Sequence, residues 1–379
     1  MDFDLTDEQK ALVEAARDAL SRHKLIEQIH EVLDGGESPD LWPTAVEAGW
    51  TGLVVSEAHG GAGLGALEAM LVFSECGRLL APLPLLGHVV ATAILDADAD
   101  TVGAERLGAF AEGAQRVAYA GAAPPSDVQD AWTTDPARGL ARAAAPTAEV
   151  GGSEATVSGT VAWVPDAPGA DALVVIATSA EGPVAVLIDG DAEGVSVESV
   201  TRYDPTRSLG HVKLDGAKGT VVGNDEVTLA AAWYLAQGLI AAESLGSVEI
   251  ALEVSIAYAK ERFAFGRAIG SYQAIKHGLV EVLRQMENTR SLIYYAGWAR
   301  QEAPEEFALA ACAARTAAGH ALDFAAREMI SVHGGIGATW EHDAPLYFRR
   351  SQLSRRLLGG TGDATDRVAG ALLTAAAPA

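Results

Sequence analysis

The stretch from Tyr258 to His277 constrains the fold most, because its periodicity changes abruptly in the middle. Apolar residues recur with helical spacing up to Arg262. Glycines at positions 266 and 270 then interrupt the pattern, and the helical spacing resumes from Gln273. The stretch therefore predicts a helix, a short exposed loop and a second helix.

The loop between these two helices carries residue types that suit a nucleotide. Arg262 can pair with a phosphate, Phe265 can cover an apolar ring, and Gly266 allows close approach of the backbone. A helix hairpin with an arginine salt bridge accounts for the same residues equally well. Taken alone, the loop leaves both interpretations open.

A second glycine loop lies near the C-terminal end, between His333 and Asp343. Its three glycines, Gly334, Gly335 and Gly337, again allow a backbone to approach a ligand closely. Two such loops between long helices form an uncommon combination, which favours the ligand-binding interpretation of both.

In order and spacing, the two loops resemble those of the acyl-CoA dehydrogenase family. Its members carry Tyr-x-x-x-Arg-x-x-Phe-Gly followed by Gln, and later Gly-Gly-x-Gly, which match Tyr258–Gly266, Gln273 and Gly334–Gly337. The opening segment 1–9, the glycine-rich segment 57–65 and the segment 75–78 also match. The resemblance covers nearly the whole chain.

Charge limits the possible partners. The 379 residues include 27 basic and 51 acidic ones, for a net charge of −24. Such a surface repels nucleic acid and anionic membranes. An anionic ligand such as coenzyme A would need arginines placed locally.

Metal chemistry and secretion are also disfavoured. Cys76 and Cys312 lack metal-ligand spacing, and so do His277, His333 and His342. The acidic start does not resemble a secretion signal, and prolines interrupt the most apolar run. We expect no metal site and a cytoplasmic protein.

The order of sequence patterns predicts an α+β multidomain fold. Residues 1–113 read as an N-terminal helical bundle, starting with one helix over Thr6–Val32 that Thr6 caps. Residues 114–225 contain short valine-rich segments typical of an antiparallel β barrel or sandwich, with 124–146 as loop. Residues 226–379 return to long helices and predict a C-terminal four-helix bundle. The resemblance implies the same layout.

The resemblance also implies an activity: FAD-dependent α,β-dehydrogenation of an acyl-CoA thioester. In the family, the arginine loop and the glycine loop reach the FAD of a neighbouring subunit. The residues that this assigns to the cofactor are Arg262, Phe265, Gln273, Ser331, Gly334, Gly335 and Gly337. Ser331 replaces the usual glutamine of the family and reaches less far.

The β half of the family's flavin site is poorly matched. Where members usually carry Thr-Glu-Pro-x-Ala-Gly-Ser-Asp, this chain has the segment Ala120–Asp127, without the threonine or the glutamate. A later segment keeps Trp163, which could stack on a flavin ring or belong to the core of the module.

The family's catalytic base is missing from both of its usual places. The glutamate that most members place before Gly-Thr is Gly359 here, and the alternative position on the long helix is Ala236. Glu243, further along that helix, has small and apolar neighbours that would raise its pKa if it were buried. It is the candidate base; its alternative role is a hydrogen-bonded core carboxylate.

These gaps suggest one subunit of a hetero-oligomer, either dimer or tetramer, built with a homologous acyl-CoA dehydrogenase subunit. The electrons would pass to an electron-transfer flavoprotein. Two alternatives stay open: a non-catalytic subunit that supplies only its loops to the FAD of its neighbour, and a homo-oligomeric dehydrogenase that uses Glu243. An oxidase is a further possibility.

Overall fold

The computed structural model describes residues 4–127, 131–138 and 141–376. Within these residues, seven helices precede the first strand. They are α1 (Asp7–Ser21), α2 (Leu25–Leu33), α3 (Trp42–Glu47), α4 (Ala66–Arg78), α5 (Leu86–Ala97), α6 (Ala99–Val102) and α7 (Ala104–Ala111). The predicted helical first part of the chain is confirmed.

The start of the chain confirms one detail and corrects another. Thr6 caps α1, because its side chain accepts a hydrogen bond from the backbone of Gln9, whose side chain bonds back to Thr6. The prediction of one helix over Thr6–Val32 is wrong, since α1 ends at Ser21 and α2 starts at Leu25. Leu20 and Leu25 are both buried, and a continuous helix would turn them about 140° apart.

The middle module is a closed sheet with attached edge strands. Its strands are β1 (Val117–Ala120), β4 (Thr147–Gly151), β5 (Glu154–Pro165), β6 (Ala172–Ser179), β7 (Gly182–Asp189), β8 (Val195–Ser199) and β9 (Leu209–Gly223). The order is β1-β6-β4-β5-β9-β7, β8 pairs with β9, and β6 also pairs with β7. The predicted barrel is confirmed; most pairs are antiparallel, but β6 pairs with β1 and β4 in parallel.

The region predicted as loop contains a small hairpin. Strands β2 (Thr133–Asp135) and β3 (Ala141–Ala143) pair antiparallel within the 124–146 region. Three-residue strands show too little alternation to be recognised from sequence. Residues 128–130 and 139–140 lie outside the described residues.

The C-terminal part is helical, with long helices packed side by side. Its helices are α8 (Glu226–Glu261), α9 (Gln273–Glu302), α10 (Pro304–His333), α11 (Ala344–Ser354) and α12 (Gly360–Ala376). Between α8 and α9 lie the short strands β10 (Phe263–Ala264) and β11 (Arg267–Ala268). The alanine- and glycine-rich α12 was not predicted, because it carries few large apolar residues to show a helical period.

No helix in the described part of the chain is long and apolar enough to cross a bilayer. The longest, α8, is buried around most of its circumference near its centre, where Trp233, Ile240 and Val248 are inaccessible. It therefore forms the axis against which α4, α5, α9, α10 and α11 pack.

Candidate functional site

The arginine loop and the glycine loop lie next to each other, joined by a row of aromatic rings. Tyr258, one turn before Arg262, contacts His333 with 4.3 Å between ring centroids. His333 in turn contacts His342, at 4.1 Å. His333 ends α10 directly before Gly334, so the stack brings the two loops to one end of the helical bundle.

The arginine loop is a tight hairpin with an unusual tip. Strands β10 and β11 pair across Phe265 and Gly266, whose φ angles are +54° and +80°. A left-handed phenylalanine is strained by about 1–2 kcal/mol, yet its side chain is 98% exposed. The hairpin is held from below by the Tyr272 hydroxyl, which donates to the carbonyl of Ala264 at 3.0 Å. The loop is therefore built to project an aromatic ring outward.

The other residues assigned to the cofactor share this surface in part. The exposed ones are Arg262, Gln273, Ser331, Gly334 and Gly335. Gly337 is buried, and a Cβ there would lie 2.7 Å from the carbonyl oxygen of Ile330. Gly337 is thus required by packing, whereas Gly334, at φ +63°, sets the turn after α10.

Glu243 lies at the centre of a buried ionic cluster. Its Oε1 accepts from Arg207 at 2.5 Å and from Arg350 at 2.8 Å. Arg350 also donates to Asp204, at 2.9 Å, and Arg207 lies 4.0 Å from Asp166. The cluster joins α8, α11 and the loops of the middle module, so it connects the helical and β parts of the chain.

This environment contradicts the expectation of a raised pKa for Glu243. Burial to 3% exposure pushes the pKa of the carboxyl upward, but Arg207 and Arg350 together hold it below its ordinary value. The apolar sequence neighbours of Glu243 did not reveal its surroundings in the fold, because both arginines come from distant segments of the chain. A carboxylate whose pKa is lowered by two paired arginines is a poor proton acceptor, which supports the alternative of a core carboxylate.

The helix crossing beside Glu243 leaves no space for a substrate. A Cβ on Gly77 of α4 would lie 1.8 Å from the carbonyl oxygen of Glu243, and a Cβ on Gly246 would lie 1.8 Å from that of Ser74. The backbones of α4 and α8 are therefore in direct contact. A thioester could not approach Glu243 between these two helices without separating them.

The loop at the family's usual base position carries no carboxylate, and contacts beneath it hold its backbone in place. Leu358, Gly359 and Gly360 have φ angles of +48°, +83° and +78°. The fully buried Arg315 donates to the carbonyls of Ser354 and Leu357 beneath the loop. Gln237 donates to the carbonyl of Leu358 at 3.2 Å. The polar groups below the loop thus bind its backbone and none supplies a base.

A cleft of about 660 Å³ lies between the middle module and the loop that joins α11 to α12. One side consists of the segment that follows β1 and of residues in or next to β2 and β5, including Trp132 and Trp163, and the other of Leu353, Leu358 and Gly359. Trp163 has a φ of +60° at a bulge in the pairing of β5 with β9. The bulge turns its ring toward Thr134, to whose hydroxyl the indole donates at 3.0 Å.

Groups of the chain itself surround Trp163. The guanidinium carbon of Arg202 lies 4.7 Å from the centre of the indole ring. His211 contacts the ring edge-on at 4.5 Å. Arg202, in the segment between β8 and β9, gave no signal in the sequence, and neither did the clamp formed by Arg315 and Gln237.

Two carboxylates also line the cleft, Asp363 and Asp366. Asp363 accepts from Arg367 at 2.9 Å, and Asp366 is exposed to solvent. Neither offers the dry surroundings that a general base needs. Within the described residues, no cluster of three or more metal-binding side chains was found.

A helical bundle, a closed β module and a second helical bundle, with paired loops at one end and a cleft beside the module, define an acyl-CoA dehydrogenase fold. The family's N-terminal domain matches residues 6–113 and its C-terminal domain matches residues 232–373. The chain belongs to the acyl-CoA dehydrogenase family, whose enzymes are oxidoreductases that act on CH–CH groups with FAD.

Several members of the family are similar to this chain over most of its length. The acyl-CoA dehydrogenase IpdE2 of Mycobacterium tuberculosis is 32% identical over 326 residues, which are 86% of this chain and 84% of the relative. A structure of a variant of the Tcur3481–Tcur3483 steroid acyl-CoA dehydrogenase has a TM-score of 0.85 at 29% identity, and the match covers 98% of this chain and 99% of the other. The ChsE4–ChsE5 complex of Mycobacterium tuberculosis has a TM-score of 0.83 at 25% identity, with 100% of both chains covered.

The two halves of the structure fit FAD unequally. The arginine loop presents an exposed cation and an exposed ring, which suit a diphosphate and an aromatic system. In the cleft, by contrast, Arg202 lies over the indole of Trp163, which a flavin would have to share. The cleft segment Gly121–Ala123 supplies no side-chain hydroxyl. The residues present fit the loop half of a flavin site and do not fit the β half.

Proposed function

We propose that this chain is one subunit of a hetero-oligomeric acyl-CoA dehydrogenase and that it contributes the loop half of a shared FAD site. The proposal rests on one contrast. The Arg262–Phe265 loop is exposed and available, whereas none of the three candidate positions for the base offers a suitable proton acceptor. Position 359 is a left-handed glycine, position 236 is a buried alanine, and Glu243 is held by two arginines.

Each loop residue then has a stated task. Arg262 pairs with the FAD diphosphate, and Phe265 covers the ring system of the cofactor. Gln273 and the shorter Ser331 hydrogen-bond the nucleotide, while Gly334 and Gly335 let the backbone close on it. FAD bound there would supply the hydride acceptor for the β carbon of the acyl chain. A carboxylate of the homologous subunit would take the α proton, and an electron-transfer flavoprotein would take the electrons.

The exposure of Phe265 supports an assembled site. A large aromatic side chain that is left in water forgoes about 2 kcal/mol of burial free energy, and its left-handed backbone adds strain. A partner subunit that covers the ring would compensate both costs. The names of the steroid acyl-CoA dehydrogenase and of the ChsE4–ChsE5 complex support a bulky acyl-CoA and a two-subunit assembly.

Flavin content tests this proposal directly. The chain would be purified alone and after co-expression with a homologous acyl-CoA dehydrogenase that carries the glutamate before Gly-Thr. We expect little FAD in the lone chain and substoichiometric FAD, with dehydrogenase activity toward an artificial electron acceptor, in the complex. One FAD per chain and activity in the lone protein would refute the shared site. If Arg262→Gln changes neither the flavin content nor the activity of the complex, the role of this chain is structural only.

A further inference from the structure

We propose that the cleft beside the middle module binds an apolar carboxylate in place of a flavin ring. This inference goes beyond the shared FAD site, since it concerns a ligand for this chain's own cleft. It rests on the position of Arg202, on two buried N–H groups without acceptors, and on the local balance of charge.

The first support is the set of unsatisfied donors. Arg202 and Trp132 both line the cleft. The Nε of Arg202 and the Nε1 of Trp132 are buried and have no hydrogen-bond partner among the residues that the structure describes, and Trp132 as a whole is only 2% exposed. Buried donors are almost always satisfied in native proteins. Because both residues border the cleft, we assign the missing acceptor to a ligand that carries oxygens.

The second support is charge. Among the described residues, three arginines line the cleft, Arg142, Arg202 and Arg356, against the two carboxylates Asp363 and Asp366. Arg367 already neutralises Asp363. A cationic cleft in a chain of net charge −24 singles out an anion among small ligands.

The third support is the apolar wall of the cleft, which favours a carboxylate with an apolar body over more strongly hydrated anions. Leu209, Leu353, Leu357 and Leu358 line the cleft together with the two tryptophans. A volume of about 660 Å³ falls in the range of small-molecule sites. A phosphate would lose its hydration against such a wall, whereas an acyl or aryl body fills it and leaves a single carboxylate for Arg202.

The position of Arg202 makes this ligand an alternative to flavin. Its guanidinium lies over the indole of Trp163, at 4.7 Å, and stacking of this kind orients a planar cation. The planar guanidinium in turn matches the two oxygens of a carboxylate. The same contact that blocks a flavin ring thus prepares an anion site.

Calorimetric titration of the full-length chain with decanoate tests the proposal. We expect saturable binding at one site per chain, with 1-decanol at least tenfold weaker. Arg202→Met keeps the apolar stem and should weaken decanoate at least tenfold. Arg138→Met, in an exposed arginine of the same module, should leave the affinity unchanged. Thermal melting of each variant shows that it is folded.

Three results would overturn the carboxylate site: no decanoate binding, equal binding of decanol, or an unchanged affinity in Arg202→Met. Displacement of decanoate by one equivalent of FAD would overturn it as well. The result is separable from the shared FAD site, because Arg262→Gln lies outside the cleft. That variant should bind decanoate normally whatever it does to flavin in a complex.

Discussion

The paired loops and the cleft differ in where their polar groups are used. At the loops, Arg262 and Gln273 are exposed, and Phe265 is held in a strained conformation facing solvent. Around the cleft and beneath it, the arginines are engaged by carbonyls, carboxylates or an indole of the same chain. The first region presents its polar groups to a partner, whereas most polar groups of the second are already used within the chain. One chain can therefore keep half of a family site while the other half takes a different role.

The largest expected effect comes from Glu243→Gln, which tests whether the buried cluster is structural. Removal of its charge leaves Arg207 and Arg350 insufficiently paired in a buried environment, so we expect the free energy of unfolding to fall by about 3–5 kcal/mol. Urea denaturation measures the loss. Glu302→Gln, at an exposed position on α9, should change stability by less than about 0.5 kcal/mol. Unchanged stability together with lost activity would restore Glu243 as a base.

The pH dependence of that difference gives an independent check. The folded-state pKa of Glu243 is held below the ordinary value of 4.5, so its contribution to stability is present above pH 4.5. It is lost as the pH falls through the lower folded-state pKa. Wild type and Glu243→Gln should therefore differ most near neutrality and converge under acid conditions. A gap that widens on acidification would mean that the carboxyl is not held ionised.

Arg262→Gln tests the loop half with an effect on binding rather than on folding. A charge-assisted hydrogen bond to a phosphate contributes about 1.5–3 kcal/mol, so we expect FAD in the complex to bind about 10- to 100-fold more weakly. Flavin fluorescence released on dilution measures this change. Arg284→Gln, at an exposed arginine on α9 that pairs with Glu281, should be neutral. Equal flavin retention in both variants would count against the loop's assigned task.

Gly359→Glu asks whether the cleft can be turned back into an active site. The φ of +83° penalises any side chain there by about 1–2 kcal/mol, and Arg202 still covers Trp163. We expect a moderate drop in melting temperature and no dehydrogenase activity in the lone chain. Gly362→Glu, where a Cβ meets nothing within 4 Å and φ is not positive, is the matched control for stability. Activity gained by Gly359→Glu alone would show that the missing glutamate was the only defect.

The smallest effect is expected from Phe265→Asn. Asparagine tolerates a left-handed backbone better than phenylalanine, so the lone chain should gain up to about 1 kcal/mol in thermal denaturation. The complex should at the same time retain less FAD, because the ring cover is lost. Leu283→Asn changes another exposed apolar side chain without touching the hairpin and serves as the control. A destabilised lone chain would mean that Phe265 packs within its own subunit.

The sequence predicted the parts of the fold whose signals are local. The long helix α9 shows its hydrophobic period over many residues, and the cap formed by Thr6 can be recognised from the residues next to it. The three-residue strands β2 and β3 fall below the length at which alternation can be seen. The glycine- and alanine-rich α12 has few of the large apolar residues that mark a period.

The two halves of the candidate site also differ in whether their sequence signals are local. The loop residues are neighbours in sequence, so spacing alone brought Arg262, Phe265 and Gln273 together. The surroundings of Glu243 depend on Arg207 and Arg350, which arrive from a β-module loop and from α11. The cleft depends on Arg202, which meets Trp163 only through the bulge in β5. Such long-range pairings have no signature in a single sequence.

The left-handed backbone of Leu358, Gly359 and Gly360 limits how this chain could evolve. A codon change that restores glutamate at position 359 produces a side chain on a backbone that disfavours it, above carbonyls already bound by Arg315 and Gln237. If this chain shares its site as proposed, a return to a self-sufficient enzyme would pass through intermediates that we expect to be less stable and still inactive. Selection has nothing to favour along that route, so dependence on a partner, once acquired, would be hard for a lineage to reverse.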